Sequence, residues 1–167
     1  MKALVYEKPG DFSIKEVPTP EPGRGEVRIK VQLTGVCGTD IHLHNGTFIG
    51  VYPLIPGHEM AGIIDKLGPD VNSEPKETDL YVGQSVTMNG NFGCGECYFC
   101  KREKPLYCKN LTCLGVTGPG AFAEYMVVPK RLVFSTDGLD PEVAVFTEPL
   151  ACTTHGMKRL ELEPGAD

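Results

Sequence analysis

The chain has no apolar stretch long enough to cross a bilayer, although apolar residues make up 41% of it. It has no basic surplus either. Its 16 lysines and arginines face 22 acidic residues, a formal net charge of −6. That balance argues against nucleic acid or an anionic membrane surface as a partner. The opening residues, Met1-Lys2-Ala3-Leu4-Val5-Tyr6-Glu7, contain no signal-peptide apolar region or cleavage site. A cytoplasmic, reducing setting is therefore expected. Internal repeats and low-complexity tracts are missing, and the 7 cysteines are an odd number that cannot all pair among themselves. In a reducing compartment they are metal ligands or free thiols more often than disulfides.

What the chain does have is punctuation. Its 20 glycines and 14 prolines are dispersed rather than clustered, the pattern of many turns between short strands. A mainly β fold follows, and 167 residues suit one domain with a sizeable core, or one domain and the start of another. Strands are expected over residues 2–7 and 12–17, around Pro9-Gly10-Asp11. Val27 to Leu33 alternates apolar and polar residues and predicts a half-buried strand; 60–67, 83–88 and 120–128 also read as strands. A short helix is expected through Ile41-His42-Leu43-His44, closed by Asn45-Gly46. Near the end, Asp140 is expected to N-cap a helix with Pro141 at its first position. Pro149 should begin or kink a second helical segment to about Leu160, followed by a turn at Glu163–Asp167.

The densest chemical signal is Cys94-Gly95-Glu96-Cys97-Tyr98-Phe99-Cys100, closed by Cys108. Four thiolates at that spacing can converge on one tetrahedral zinc. Lys101, Arg102, Lys104 and Lys109 crowd the same loop, where they offset the excess negative charge of four thiolates on a divalent ion. Ferredoxin runs also begin with this spacing. Their fourth cysteine follows at x3 and precedes proline, whereas Cys108 follows at x7 and precedes Lys109.

A weaker constellation is spread over the first third of the chain. Cys37, within Gly35-Val36-Cys37-Gly38-Thr39-Asp40, and His58-Glu59 each lie at a glycine-rich strand end, where barrel edges can meet. One Cys, one His and one or two carboxylates can make a zinc shell with room for water or substrate. Singly, the same residues equally fit a small buried thiol, a hydrogen-bonded core histidine and a surface carboxylate.

Taken in order, these motifs resemble the zinc-dependent medium-chain alcohol dehydrogenases over nearly the whole chain. The carriers are Gly35 to His42, Ile55-Pro56-Gly57-His58-Glu59 with Gly62 and Gly68, the four-cysteine lobe, and Gly120-Ala121-Phe122-Ala123-Glu124-Tyr125. Thr147-Glu148-Pro149-Leu150-Ala151 is similar to the polyol (sorbitol- and arabinitol-like) branch, with threonine dehydrogenases as relatives; liver-type enzymes have a cysteine where Glu148 falls. The resemblance implies a GroES-like, partly open β-barrel with a zinc-binding lobe and C-terminal helical segments. It implies a catalytic domain over residues 1–150, with the lobe at about 92–113, and a linker helix over 151–167 toward an absent Rossmann domain.

It also implies two zinc ions per chain. A catalytic ion would be held by Cys37 and His58 with Glu59 and Glu148 as the site's carboxylates, their division of labour open. A structural ion would be held by Cys94, Cys97, Cys100 and Cys108. Asp40 would accept the second ring N–H of His58, and Thr39 and His42 match the family's proton-relay positions. Phe48, Ile49 and Tyr52 would line the substrate pocket, and His44 is read as a surface histidine. Cys113 and Cys152 fall outside the ligand pattern and read as free thiols. The implied reaction oxidises a small polyol or other secondary alcohol to a ketone, with hydride passing to NAD or NADP. No G-x-G-x-x-G occurs. Cofactor-binding residues therefore go unassigned, the chain alone is expected to be inactive, and the full-length parent is expected to be a homo-oligomer. The alternative is a stand-alone zinc-binding module that keeps the fold without catalysis.

Overall fold

The computed structural model describes residues 1–73 and 79–160; the turn expected at 163–167 lies outside them. The chain opens with an antiparallel hairpin, β1 (Lys2–Lys8) and β2 (Asp11–Glu16), turning at Pro9-Gly10 as anticipated. The main sheet follows from β3 (Glu26–Thr34), β4 (Met60–Leu67) and β5 (Ser85–Met88), flanked later by β8 (Tyr125–Pro129) and β9 (Val133–Ser135). Its order is β8-β3-β4-β5-β9, antiparallel throughout. Between β5 and β8 the two-residue strands β6 (Asn91–Phe92) and β7 (Thr112–Cys113) pair at the neck of the cysteine lobe. The helices are α1 (Gly38–His44), α2 (Pro141–Ala144) and α3 (Thr147–Leu160).

The alternation in β3 is used as its pattern foretold. Val27 and Ile29 are fully buried, and Ile29 stands opposite Ile64 on one side and Met126 on the other. With Met60, Val86, Met88 and Val128 they form the main core. The strand register shifts between Val31 and Leu33, so β3 bends before it delivers Thr34 to the start of β4. β8 and β9 remain the open edges of this sheet, and the hairpin joins it only through short contacts such as Ala3 opposite Ala123. The expected mainly β, partly open barrel with helices at the C-terminal side is the observed architecture.

Two local expectations change. Residues 120–124 do not extend β8, because their amides are spent elsewhere: Gly120 N donates to Ile55 O (2.7 Å), Ala121 N to Gly57 O (2.9 Å) and Phe122 N to Pro56 O (2.9 Å). This crossing clamps the loop that carries His58. Asp140 does sit at the N-cap of α2, but its side chain makes no capping bond; its carbonyl accepts from Val143 N and Ala144 N. Pro149 falls in the first turn of α3, where its missing N–H costs no helical bond. The helix therefore runs through it, and the division drawn between residues 150 and 151 lies inside α3. Among the described residues, no helix is long and apolar enough to cross a membrane.

Met60 ties this scaffold to the site beside it. Its side chain is fully buried in the main core, and its carbonyl accepts from the buried Thr87 hydroxyl at 2.8 Å. Met60→Ala is expected to lower the unfolding free energy by about 2–5 kcal/mol, as large-to-small core changes do. Urea denaturation of the two proteins measures it.

Candidate metal centres

The first centre forms where β3 ends and β4 begins. Thr34 Oγ1 and Gly35 N both donate to the Glu59 carbonyl, at 2.9 and 2.8 Å. The next residues enter α1, with Cys37 at its N-cap position. Cys37 N donates to Asp40 Oδ2 (2.9 Å) and Asp40 N to Cys37 O (3.0 Å), a reciprocal closure that fixes the cysteine against the helix. The result brings one ligand atom each of Cys37, His58 and Glu59 within 4.8 Å of one another, all three half-buried.

The hydrogen bond expected between the His58 ring and Asp40 is not made. His58 Nδ1 and Asp40 Oδ1 are both buried without a partner, while the other Asp40 oxygen is engaged by the Cys37 amide. Burial pushes the Asp40 carboxyl above its ordinary range, although the Cys37 amide and His58 pull it the other way. A thiol, an imidazole and a carboxylate converging beside an orphaned, buried ring nitrogen fit a divalent, zinc-like cation.

Glu148 lies apart from these three. It comes from the first turn of α3 and lines the same cleft of about 210 Å³ as Thr39, Phe48 and His58. Cys152, one helical turn on, donates its thiol to Glu148 Oε1 at 3.3 Å, and that bond raises the Cys152 pKa ahead of burial. Cys113 and Asn91, on the paired strands β7 and β6, also line the cleft. Sequence reading left Cys113 as an unassigned thiol, because nothing local shows that β7 returns to the cleft. Of the loop residues proposed for the pocket, Phe48 lines it. Ile49 is exposed, and Tyr52 packs on the smaller core and donates to Leu43 O at 2.9 Å.

The two relay candidates differ in setting. Thr39 Oγ1 lies 3.7 Å from Cys37 Sγ and faces the cleft. His42 is exposed, with Nδ1 3.1 Å from Thr47 Oγ1. No hydrogen bond joins Thr39 to His42 among the described residues. Thr47 Oγ1 also lies 3.3 Å from the His42 carbonyl, and a hydroxyl that donates there accepts from Nδ1–H. That arrangement corresponds to the Nδ1–H tautomer, with Nε2 as the basic nitrogen. His44, expected at the surface, is half-buried: Nδ1 is 3.2 Å from the Tyr6 hydroxyl, and its ring meets Tyr6 and Phe12 edge-on.

The second centre is the cysteine lobe. The four sulfurs of Cys94, Cys97, Cys100 and Cys108 lie within 4.8 Å of one another. Amide groups point at them: Cys94 N and Asn110 N each donate to Cys108 Sγ at 3.3 Å, and Cys100 N to Cys97 Sγ at 3.5 Å. The amide of Cys100 is the main cause holding Cys97 down to about 6, whereas desolvation pushes Cys100 up to about 12. The protein alone thus favours ionisation unevenly, and full ionisation needs positive charge in the middle. Gly93 makes room for the convergence, since a Cβ there would stand 2.5 Å from Cys100 Sγ. The lobe has little core of its own. Tyr98, Leu106 and Tyr107 are exposed, with Arg102 stacked 3.7 Å over the Tyr98 ring. Four sulfurs without disulfides, in a lobe that packs so little, fit a structural ion.

Residues 23–138, most of the chain, match the alcohol dehydrogenase GroES-like domain. The chain belongs to that family. It is 41% identical to D-arabinitol dehydrogenase 1 of Uromyces fabae, over 100% of this chain and 46% of that protein. An Escherichia coli CFT073 alcohol dehydrogenase solved with NADH is 38% identical, with a TM-score of 0.82 over 95% of this chain and 45% of the other. A cobalt- and zinc-bound thermostable alcohol dehydrogenase of Pyrobaculum aerophilum is 30% identical, also with a TM-score of 0.82, over 99% of this chain and 50% of the other. The chain spans about half the length of the relatives it matches.

The His42 tautomer can be read directly. In nitrogen-15 NMR spectra of the imidazole rings, His42 is expected in the Nδ1–H form. Thr47→Val should move it toward Nε2–H, the form free histidine prefers, and Thr47→Ser should restore it.

Proposed function

We propose that this chain is the zinc-binding catalytic part of an NAD(P)-linked alcohol dehydrogenase that oxidises a polyol or other secondary alcohol to a ketone. The observation that carries the proposal is the convergence of Cys37, His58 and Glu59, with His58 lining a cleft that also presents Thr39 and Glu148. Residues 1–150 supply this catalytic domain, and 151–167 lead toward a dinucleotide-binding domain. The similarity to an arabinitol dehydrogenase supports the substrate class, and the NADH-bound relative supports the nicotinamide.

Cys37, His58 and Glu59 would hold the catalytic zinc. Bound there, zinc supplies Lewis acidity that polarises the substrate oxygen. Glu148, across the cleft, is the second carboxylate, free to act when its bond from Cys152 breaks. The Thr39 hydroxyl orients the substrate hydroxyl and accepts its proton as it passes toward solvent. His42 stands at the exposed end of that path, with Nε2 open to receive a proton. A bound nicotinamide would supply the hydride acceptor, so that loss of hydride from carbon and of the hydroxyl proton would leave the ketone. Cys94, Cys97, Cys100 and Cys108 would hold the structural ion that braces the lobe carrying Asn91 and Cys113 into the cleft.

Seven cysteines without a disulfide and a net charge of −6 support a cytoplasmic protein that binds neither nucleic acid nor membrane. The full-length protein is a homo-oligomer in this reading.

Elemental analysis of the zinc-replete chain should give two equivalents of zinc, Cys37→Ser and Cys108→Ser each leaving one. One equivalent in the wild type would contradict the proposal. In the full-length protein, His58→Ala should cut turnover of arabinitol or sorbitol beyond the roughly 10–100-fold that loss of an outer partner costs. Undiminished turnover would restrict the chain to a zinc-binding module without catalysis.

A further inference from the structure

Glu59 reaches the centre from a backbone held on both sides. Its carbonyl is held by both Thr34 Oγ1 and Gly35 N, and its successor Met60 is fully buried in the main core. Only the side chain has freedom, and it lies directly over Gly35. A Cβ built on Gly35 would fall inside van der Waals distance of Glu59 Oε2, 3.2 Å from its Cβ and 3.4 Å from its Cδ. The nearest atoms to that added carbon all belong to the Glu59 side chain. Gly35 does not carry the positive φ that excludes other residues, so alanine fits its backbone. The 3.2 Å contact with Glu59 Cβ asks for a give of a few tenths of an ångström, whereas the carboxylate oxygen must move away.

We propose that Gly35 is a positioning residue for the metal centre: the space left by its missing side chain is what lets the Glu59 carboxylate stand beside Cys37 and His58. The inference rests on the zinc reading of that centre. An added methyl forces Glu59 to another rotamer. The carboxylate swings away from a ligand set whose atoms now lie within 4.8 Å of one another. The two hydrogen bonds from residues 34 and 35 to the Glu59 carbonyl use backbone and threonine atoms, so they survive the change. The fold is retained and the donor is lost. Gly35 thereby acts on the metal only through Glu59, which makes the effects of the two residues non-additive.

The test is a double-mutant cycle on the chain itself, with Gly35→Ala, Glu59→Ala and both together, titrated with zinc against a chromophoric chelator. The four-cysteine site reports folding through its own equivalent of zinc. Gly35→Ala is expected to weaken the second equivalent by about tenfold or more, as displaced supporting groups at metal sites do. Gly35→Ala/Glu59→Ala should match Glu59→Ala within about twofold, the usual error of such cycles. If Gly35→Ala alone fails to retain the lobe ion but the double variant retains it, the clash is with Glu59 and the proposal stands. Wild-type affinity in Gly35→Ala would overturn it, as would a double variant weaker than Glu59→Ala by the full single-mutant factor, or failure of both variants to fold. A wild-type chain that binds only the lobe ion would overturn the zinc reading itself, a different result from any of these.

Discussion

The carbonyl of Glu59 is the joint on which the site depends. It accepts from Thr34 Oγ1 and Gly35 N where β3 gives way to α1, and so locks two segments distant in sequence. On one side of the joint the chain runs two residues to Cys37; on the other it steps back one residue to His58. Three potential ligands are thereby fixed by hydrogen bonds to backbone groups rather than by their own side-chain contacts. The strand pairing beneath, with Ile29 opposite Ile64 and both fully buried, supplies the stiffness. The crossing at Gly120–Phe122 clamps residues 55–57 from above. Cysteine, histidine and glutamate are therefore gathered by the scaffold, the preorganisation that a metal site requires.

The four-cysteine lobe works by a different economy. Its ligands lie close together in sequence, and it surrounds them with turns and exposed rings instead of core. The Cys100 amide favours the Cys97 thiolate, yet burial opposes ionisation of Cys100. A zinc ion held there would resolve that conflict and supply the cohesion that packing does not. The lobe's neck, β6 and β7, then sets Asn91 and Cys113 on the cleft wall. Bracing the lobe also shapes the pocket.

How much of this was legible depended on range. The convergence of the four lobe cysteines was readable from spacing, because all four lie within one loop. The hairpin, β3, β4 and α1 were readable from alternation and turn residues. The convergence of Cys37 with His58-Glu59 was not readable locally, since it depends on pairing Thr34 with Met60 across the sheet; order of motifs and resemblance supplied it. Residues 120–124 looked like strand because their apolar content matched, but their amides were committed to another loop. Cys113 was missed because a two-residue strand carries no periodic signal. The Glu148–Cys152 contact was foreshadowed by helical spacing, yet the place of Glu148 on the cleft beside His58 required the placement of α3.

The central claim is that one chain builds two chemically different zinc sites, and X-ray absorption at the zinc edge of the fully loaded chain tests it most directly. Zinc–sulfur distances of about 2.3 Å and zinc–nitrogen or zinc–oxygen distances of about 2.0–2.2 Å identify the two kinds of donor. The account predicts an average of a four-sulfur site and a site with one sulfur and the rest nitrogen and oxygen. Cys37→Ser should reduce that average to pure sulfur. A wild-type spectrum showing sulfur alone, or one unchanged by Cys37→Ser, would contradict it.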